Sequence, residues 1–304
     1  MAKLGGVRRV IVIALLVAAS CGGKDAPPPP PPLTGLVIID AGLAPRAQLR
    51  YQPVKGTRTP LEVTADIAMG DGASKVPWPT VITSSEVTAE DLLADGTIKV
   101  RYTVVAIAAK DREHAVLTAE QMTQPLQLLV GTSITGTLTP AGVLGAINVD
   151  SNGRPLPPAL QAQVSTLSRN LERSVMPLPT EPVGVGALWT FKQAVDQNGM
   201  KVAAATTIKV TAMTPTTVTI ALTSELTGPD QHVDVSGSKV TVSKIAGTMR
   251  GTGVIDLVRL TFSGELVADL AMDMAMGGAT DHTTMTSALR LAPQPTAQGA
   301  PTAP

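Results

Sequence analysis

The feature that most constrains this chain is a two-residue hydrophobic period that returns in segment after segment. Leu266, Ala268, Leu270, Met272, Met274 and Met276 alternate with Glu265, Val267, Asp269, Ala271, Asp273 and Ala275. Successive side chains of a strand point to opposite faces, so this spacing makes one apolar face. The same period runs through Leu61, Val63, Ala65, Ile67 and Met69, and through Ile98, Val100, Tyr102 and Val104. It returns in Ile208, Val210 and Ala212, and in Val218, Ile220 and Leu222. One-sided strands belong to antiparallel sheets that cover a core with a single face. Turn-forming breaks separate the runs, as at Gly70-Asp71-Gly72, Asp150-Ser151-Asn152-Gly153 and Gly277-Gly278.

One segment departs from that rhythm. Leu160, Val164, Leu167, Leu171 and Val175 follow one another at steps of four, three, four and four. Such steps place them on one stripe of a helix over about residues 157–175. Pro177 and Pro179 end it. A weaker helical pattern runs from Thr118 to Val130 and is interrupted by Pro125. A helix apolar on one side needs one partner surface. The expected fold is therefore mainly β (α+β): a large curved antiparallel sheet or open half-barrel, with the one central helix packed on its concave face. Residues 34–292 are expected to form this as a single domain. Leu61–Met69 also echoes Leu266–Met272. Biased alternation alone produces such echoes. The other reading is two related halves, near residues 33–155 and 180–292.

The two ends of the chain have a different character. Lys3, Arg8 and Arg9 precede an unbroken apolar run from Val10 to Ala19, then Ser20 and Cys21. Charge, then a short apolar segment, then small residues is the layout of an export signal over residues 1–20. Cys21 is the chain's single cysteine, so it has no intramolecular disulfide partner. Gly22 to Ala26 then leads into six consecutive prolines, Pro27 to Pro32. Such a run is an extended stalk, about 3.1 Å per residue, and residues 21–33 are expected to form it. Residues 293–304 are rich in Pro, Ala, Thr and Gln and are expected to be a disordered tail.

Composition narrows the function. With Lys3, Arg8 and Arg9 in the leader, 21 of the 24 Lys and Arg remain against 24 Asp and Glu, a balance of −3. That is no footprint for nucleic acid. Aromatic residues make up only 2% of the chain, so the core is expected to be built of Val, Ile, Leu, Ala and Met.

The search for reactive groups yields little. Asp230, His232 and Asp234 alternate and would share a strand face. They are metal-ligand types, but a polar loop entering a strand after Gly228-Pro229 accounts for them. Glu265, Asp269 and Asp273 fall at spacings of four. Four residues of strand span about 13 Å, too far for joint acid–base work, so they read as a solvated face. Ser236-Gly237-Ser238-Lys239 fits a Ser-x-x-Lys pattern but lies between strand-like runs without its partner motifs. No metal, no cofactor and no catalytic residue is expected, and the chain does not read as an enzyme.

Ala18-Ala19-Ser20-Cys21 resembles the lipobox of bacterial lipoproteins, with Ala18 where that family most often carries Leu. The resemblance implies cleavage before Cys21, a diacylglyceryl group on its thiol, and anchoring to a membrane. Gly22 stands where enteric lipoproteins kept at the inner membrane carry Asp, which by the same resemblance favours the outer membrane. Together with the strands and helix, Leu178-Pro179-Thr180-Glu181-Pro182-Val183-Gly184-Val185-Gly186-Ala187-Leu188-Trp189 resembles an uncharacterised family of β-rich bacterial lipoproteins. That likeness covers about residues 45–290 and brings no catalytic residue with it. The layout is also similar to the open β-barrels of lipoprotein carriers and lipid-binding lipoproteins.

These readings lead to one expectation: an envelope lipoprotein that binds an apolar or lipid-like ligand without catalysis. Candidate lining residues are Leu160, Val164, Leu167 and Leu171 on the helix, and Leu270, Met272, Met274 and Met276 on the strand. Methionine side chains reshape easily around apolar groups, although the same residues would serve equally as ordinary core. The alternative is a structural lipoprotein that presents its surface to an envelope protein partner.

Overall fold

A computed structural model describes residues 34–71, 74–151, 175–197, 200–235, 238–276 and 279–294. The first half holds β1 (Thr34–Asp40), β2 (Arg58–Gly70), β3 (Lys75–Pro77), β4 (Thr80–Leu92) and β5 (Ile98–Lys110). After them come α1 (Ala119–Leu126), a 3-10 turn (Gln127–Leu129), β6 (Ser133–Leu138) and β7 (Leu144–Asp150). The second half holds β8 (Leu188–Gln197), β9 (Met200–Met213), β10 (Thr217–Gly228) and β11 (Gln231–Val235). It ends with β12 (Ser238–Asp256), β13 (Thr261–Met276) and β14 (Ala279–Pro293).

The fourteen strands form one sheet in the order β1-β8-β9-β10-β12-β13-β14-β2-β4-β5-β6-β7, with β3 added to β2 and β11 to β12. Its pairings are antiparallel. Two meanders, β2 to β7 and β8 to β14, join where β14 pairs with β2. The ends of the path, β1 and β7, are not paired with each other, so the sheet is open. The strands read from the period-two runs are all present.

The sheet curls. Tyr51 N–H donates to Pro140 O (2.9 Å), and the next residue, Gln52, donates to Leu257 O (2.8 Å). Neighbouring Cα atoms are 3.8 Å apart, so these two acceptors lie within about 10 Å of each other. Pro140 follows β6 and Leu257 follows β12, six strand positions away. In a flat sheet that separation would be about 29 Å. The crease has a sequence cause in β12 and β13. Gly253 and Gly264 are cross-strand partners. A Cβ on Gly253 would fall 2.3 Å from Ser263 O, and one on Gly264 would fall 2.2 Å from Thr252 O. The Phe262 ring lies over the gap that these glycines leave. Paired glycines covered by a ring are a device for bending a sheet.

One end of the curled sheet is plugged. Residues 41–57 and 175–187 cross it together, with Ala47 and Val183 exchanging backbone hydrogen bonds (2.9 Å each). Leu43 N–H donates to Val185 O (2.8 Å) and Gly184 N–H to Ala41 O (2.9 Å). The second segment runs from the β6–β7 turn, where Leu178 N–H donates to Ala141 O, to β9, where Gly186 N–H donates to Val210 O. It thus ties the β7 edge to the β8 side. Gly184 is required here because a Cβ would lie 1.8 Å from Leu43 O.

The main core lies behind the plug. Its largest fully buried side chains include Trp189, Tyr51, Tyr102 and Phe262. With Phe191 and Trp78, all six aromatic residues of the chain are buried. The expectation of a purely aliphatic core is corrected: the few rings sit at its densest points, where each buries more surface than an aliphatic side chain.

Two helical expectations meet different outcomes. The weaker one forms α1, with a capping box between Thr118 and Gln121. It stays on β5 because Thr123 Oγ1 accepts from Ala109 N–H and Gln127 Nε2 donates to Ile107 O. The helix over about 157–175, and its place on the concave face, lie outside the described residues except for Val175, which is buried in the main core. The export signal, stalk and most of the tail also lie outside them. The tail boundary shifts slightly: Pro293 pairs with Leu61 in the sheet, and Gln294 N–H donates to Pro60 O.

Candidate functional site

The inner face carries a second apolar cluster at the end away from the plug. Val233, Val240, Val242, Ile245, Leu270, Met272 and Met274 are buried there. Met200, Val202, Leu226 and Met285 pack against them half-buried. Register explains the grouping. On β13 the inward positions are Leu270, Met272 and Met274, and β14 places Met285 directly opposite Leu270. On the other side Val242 faces Met274 and Gly247 faces Leu270. β11 folds back so that Val233 pairs with Val240.

Of the candidate lining residues, Leu270, Met272 and Met274 are therefore together. Met276 is not with them. It lies at the end of β13 and is exposed. Leu160, Val164, Leu167, Leu171 and Cys21 lie outside the described residues.

Polarity on the inner face is neutral. Among the described residues, the buried polar side chains of the serine, threonine and charged types are all hydroxyls, from Thr59 to Thr283. Thr206 and Ser224, cross-strand partners, share a buried hydrogen bond of 2.8 Å. Tyr102 is fully buried, and its hydroxyl makes no hydrogen bond of good geometry. Burial raises its pKa, and the Ser85 hydroxyl partly offsets that rise.

The charged candidates lie elsewhere and are occupied locally. Glu265 pairs with Arg290 (2.8 Å) and Asp269 with Lys75 (3.7 Å). Asp273 receives Lys244 Nζ and His282 Nδ1, each at 2.8 Å. The hydrogen bond from Lys244, then that from His282, holds the Asp273 carboxyl below its ordinary value. His282 reads as isolated in the sequence, and only the register of β13 with β14 sets it opposite Asp273. His232 Nδ1 lies 3.1 Å from the Thr241 hydroxyl, and Asp230 accepts weakly from Lys244 N–H (3.4 Å). Ser238 and Lys239 begin a strand, not a helix. Among the described residues no three His, Cys, Asp or Glu side chains are grouped to hold a metal ion. No helix among them is long and apolar enough to cross a membrane, which leaves spanning by strands untouched.

The arrangement defines a curled, one-sided β shell, plugged at one end and lined with neutral and apolar groups. Residues 161–258 match the model of a family of unknown function (DUF6263). This stretch takes in the second half of the plug and β8 to β12. No curated protein matches the chain. Among solved structures it is similar to DynF from the dynemicin biosynthesis pathway of Micromonospora chersina, at 10% identity. That alignment covers 88% of this chain and 92% of the other, with a TM-score of 0.19. A superposition that poor transfers nothing from one protein to the other.

Proposed function

We propose that the chain is an exported lipoprotein of the cell envelope, favouring the outer membrane, anchored through lipid on Cys21. In this reading its β shell is a non-catalytic binding module for an apolar or lipid-like ligand. The observation that carries it is the separate cluster around Met272 and Met274, apart from the main core and half made of thioether and γ-branched side chains. Unbranched methionines repack around an apolar guest at low cost. The inner face adds a constraint on that guest. Among the described residues its buried polar side-chain groups are neutral hydroxyls and indole N–H groups, and a buried ion without a partner is costly. The part of the ligand inside the shell is therefore uncharged.

The test is to extract the full chain from its own membrane, exchange it into a short-chain detergent, and analyse it by native mass spectrometry. The expected result is a retained adduct of one lipid-like molecule per chain. A chain that is free of any adduct, and that does not take up a neutral fluorescent probe such as N-phenylnaphthylamine, refutes the binding role.

A further inference from the structure

Large apolar side chains are exposed at one place more than any other. Leu43, Val54, Leu92, Leu93, Val143 and Val185 are between 38% and 72% exposed. Five lie in the loops of the plugged end, and Leu92 is the last residue of β4 there. Their grouping follows from contacts already fixed. Leu43 and Val185 are joined by a backbone hydrogen bond. Lys55 and Asp91 form a 2.8 Å ion pair, which sets Val54 beside the Leu92-Leu93 tip. The Tyr51–Pro140 hydrogen bond brings the turn that carries Val143 against the same loops. Val37 and Ile39, also exposed, lie on β1, the strand that leads into this end. An apolar group of this extent on a loop crown marks a contact surface.

We infer that the plugged end rests on the surface of the membrane to which the chain is tethered, with these side chains entering the headgroup–acyl boundary. The inference rests on the reading of Cys21 as the lipid anchor. The length of chain before β1 and the place where it enters the sheet identify the occupant. From Cys21 to Leu33 are thirteen residues, reaching about 40 Å when extended. β1 descends seven residues toward the plugged end, about 23 Å. The tether is thus long enough to lay that end flat on the bilayer, and short enough to hold it close. Tethering replaces free association with a high local concentration, so a modest apolar contact suffices. Charges around the crown are mixed, with Arg46, Arg50, Lys55 and Lys99 among Asp91, Asp95 and Glu181. Contact is therefore through apolar insertion and needs no anionic lipid.

The experiment uses the full lipidated chain in vesicles of zwitterionic phosphatidylcholine. Single variants Val54→Cys, Leu92→Cys and, at the opposite end, Met276→Cys carry an environment-sensitive fluorophore, with Cys21 blocked by its own lipid. The labels at 54 and 92 are expected to shift to the blue and to lose several-fold intensity to an acyl-chain nitroxide lipid, while the label at 276 does neither. Labels at 54 and 92 that behave like that at 276 overturn the inference. So does a blue shift without nitroxide quenching, which reports contact between copies or with another protein. If the unlabelled chain does not float with the vesicles, the anchor reading itself has failed, and the inference falls with it.

Discussion

Tyr51 and Met176 exchange two hydrogen bonds in the buried interior, 125 positions apart in sequence. The phenol donates to the Met176 carbonyl (3.1 Å) and accepts from the Met176 N–H (3.0 Å). One side chain thereby satisfies both backbone groups of a residue in the other plug segment. Burial also pushes the phenol pKa far up, so it stays protonated and able to donate. Tyr51→Phe keeps the ring but leaves both groups unpaired, at about 1–3 kcal/mol each. Urea unfolding should show a lower midpoint with an unchanged slope, and an unchanged midpoint would refute the role given to this pair.

Gly184 and Gly186 differ in why they are glycine. Alanine at 184 would drive a Cβ into Leu43 O, with the Pro45 carbonyl close by. Overpacking of this kind costs about 1–3 kcal/mol. Gly186 has open space around it but a φ of +86°, where alanine bears about 1–2 kcal/mol of strain. Gly184→Ala should also expose Tyr51, buried in the native chain, to solvent, seen as a blue shift of the tyrosine absorbance band. Gly186→Ala should destabilise without that optical change.

Asp273 gives a pH dependence with a definite sign. Contacts with Lys244 and His282 favour its ionised form, so its folded-state pKa lies below the ordinary 3.8. A lowered carboxyl adds stability above 3.8 and loses it as pH falls through the folded value. Asp273→Asn should therefore lower Tm at pH 7, with the gap to the native chain closing only below pH 3.8. A gap that stayed constant down to pH 2 would exclude ionisation as its source.

The ligand reading makes its own demand on Met272 and Met274. Met272→Leu should keep stability within about 1.5 kcal/mol. Met272→Asp, placing a charge in the cluster, should abolish uptake of a neutral apolar probe. A change at Val218 in the main core, Val218→Ala, should lower Tm and leave uptake intact. Equal loss of uptake in both variants would mean that the cluster is only core.

Cys21→Ser removes the thiol on which the proposed lipid anchor depends. The variant should leave the membrane fraction and appear in the soluble fraction after osmotic shock, with its Tm unchanged. Persistence in the membrane fraction would refute anchoring by that residue.

What could be read from sequence follows from range. The period in Leu266–Met276 is local, and it predicts β13 and its inward face correctly as far as Met274. Met276 is the last residue of β13 and is exposed, and period alone does not say where a strand leaves the core. The Asp273–His282 pair needs the β13–β14 register, which no single strand contains. The segment from Leu178 to Trp189 stands out in sequence, but only its crossing to Ala47 explains the Gly184 in it. The echo between Leu61–Met69 and Leu266–Met272 has a structural counterpart, since β2 and β13 flank β14 on either side. Alternating strands beside a common neighbour need no shared ancestry to look alike.

The position of β14 sets a timetable. It is the seam between the two meanders, and Gln294 next to it bonds to Glu62, 232 positions earlier. Chains dominated by such distant pairings fold slowly. As the chain is delivered from its N-terminus, β2 can pair with β4 almost at once, yet its other edge must wait for more than two hundred residues to arrive. During that interval β2 offers an unpaired edge to any neighbouring strand. The period of greatest hazard for this molecule is thus its delivery, and a factor that holds extended chains would protect it most while β14 is still to come.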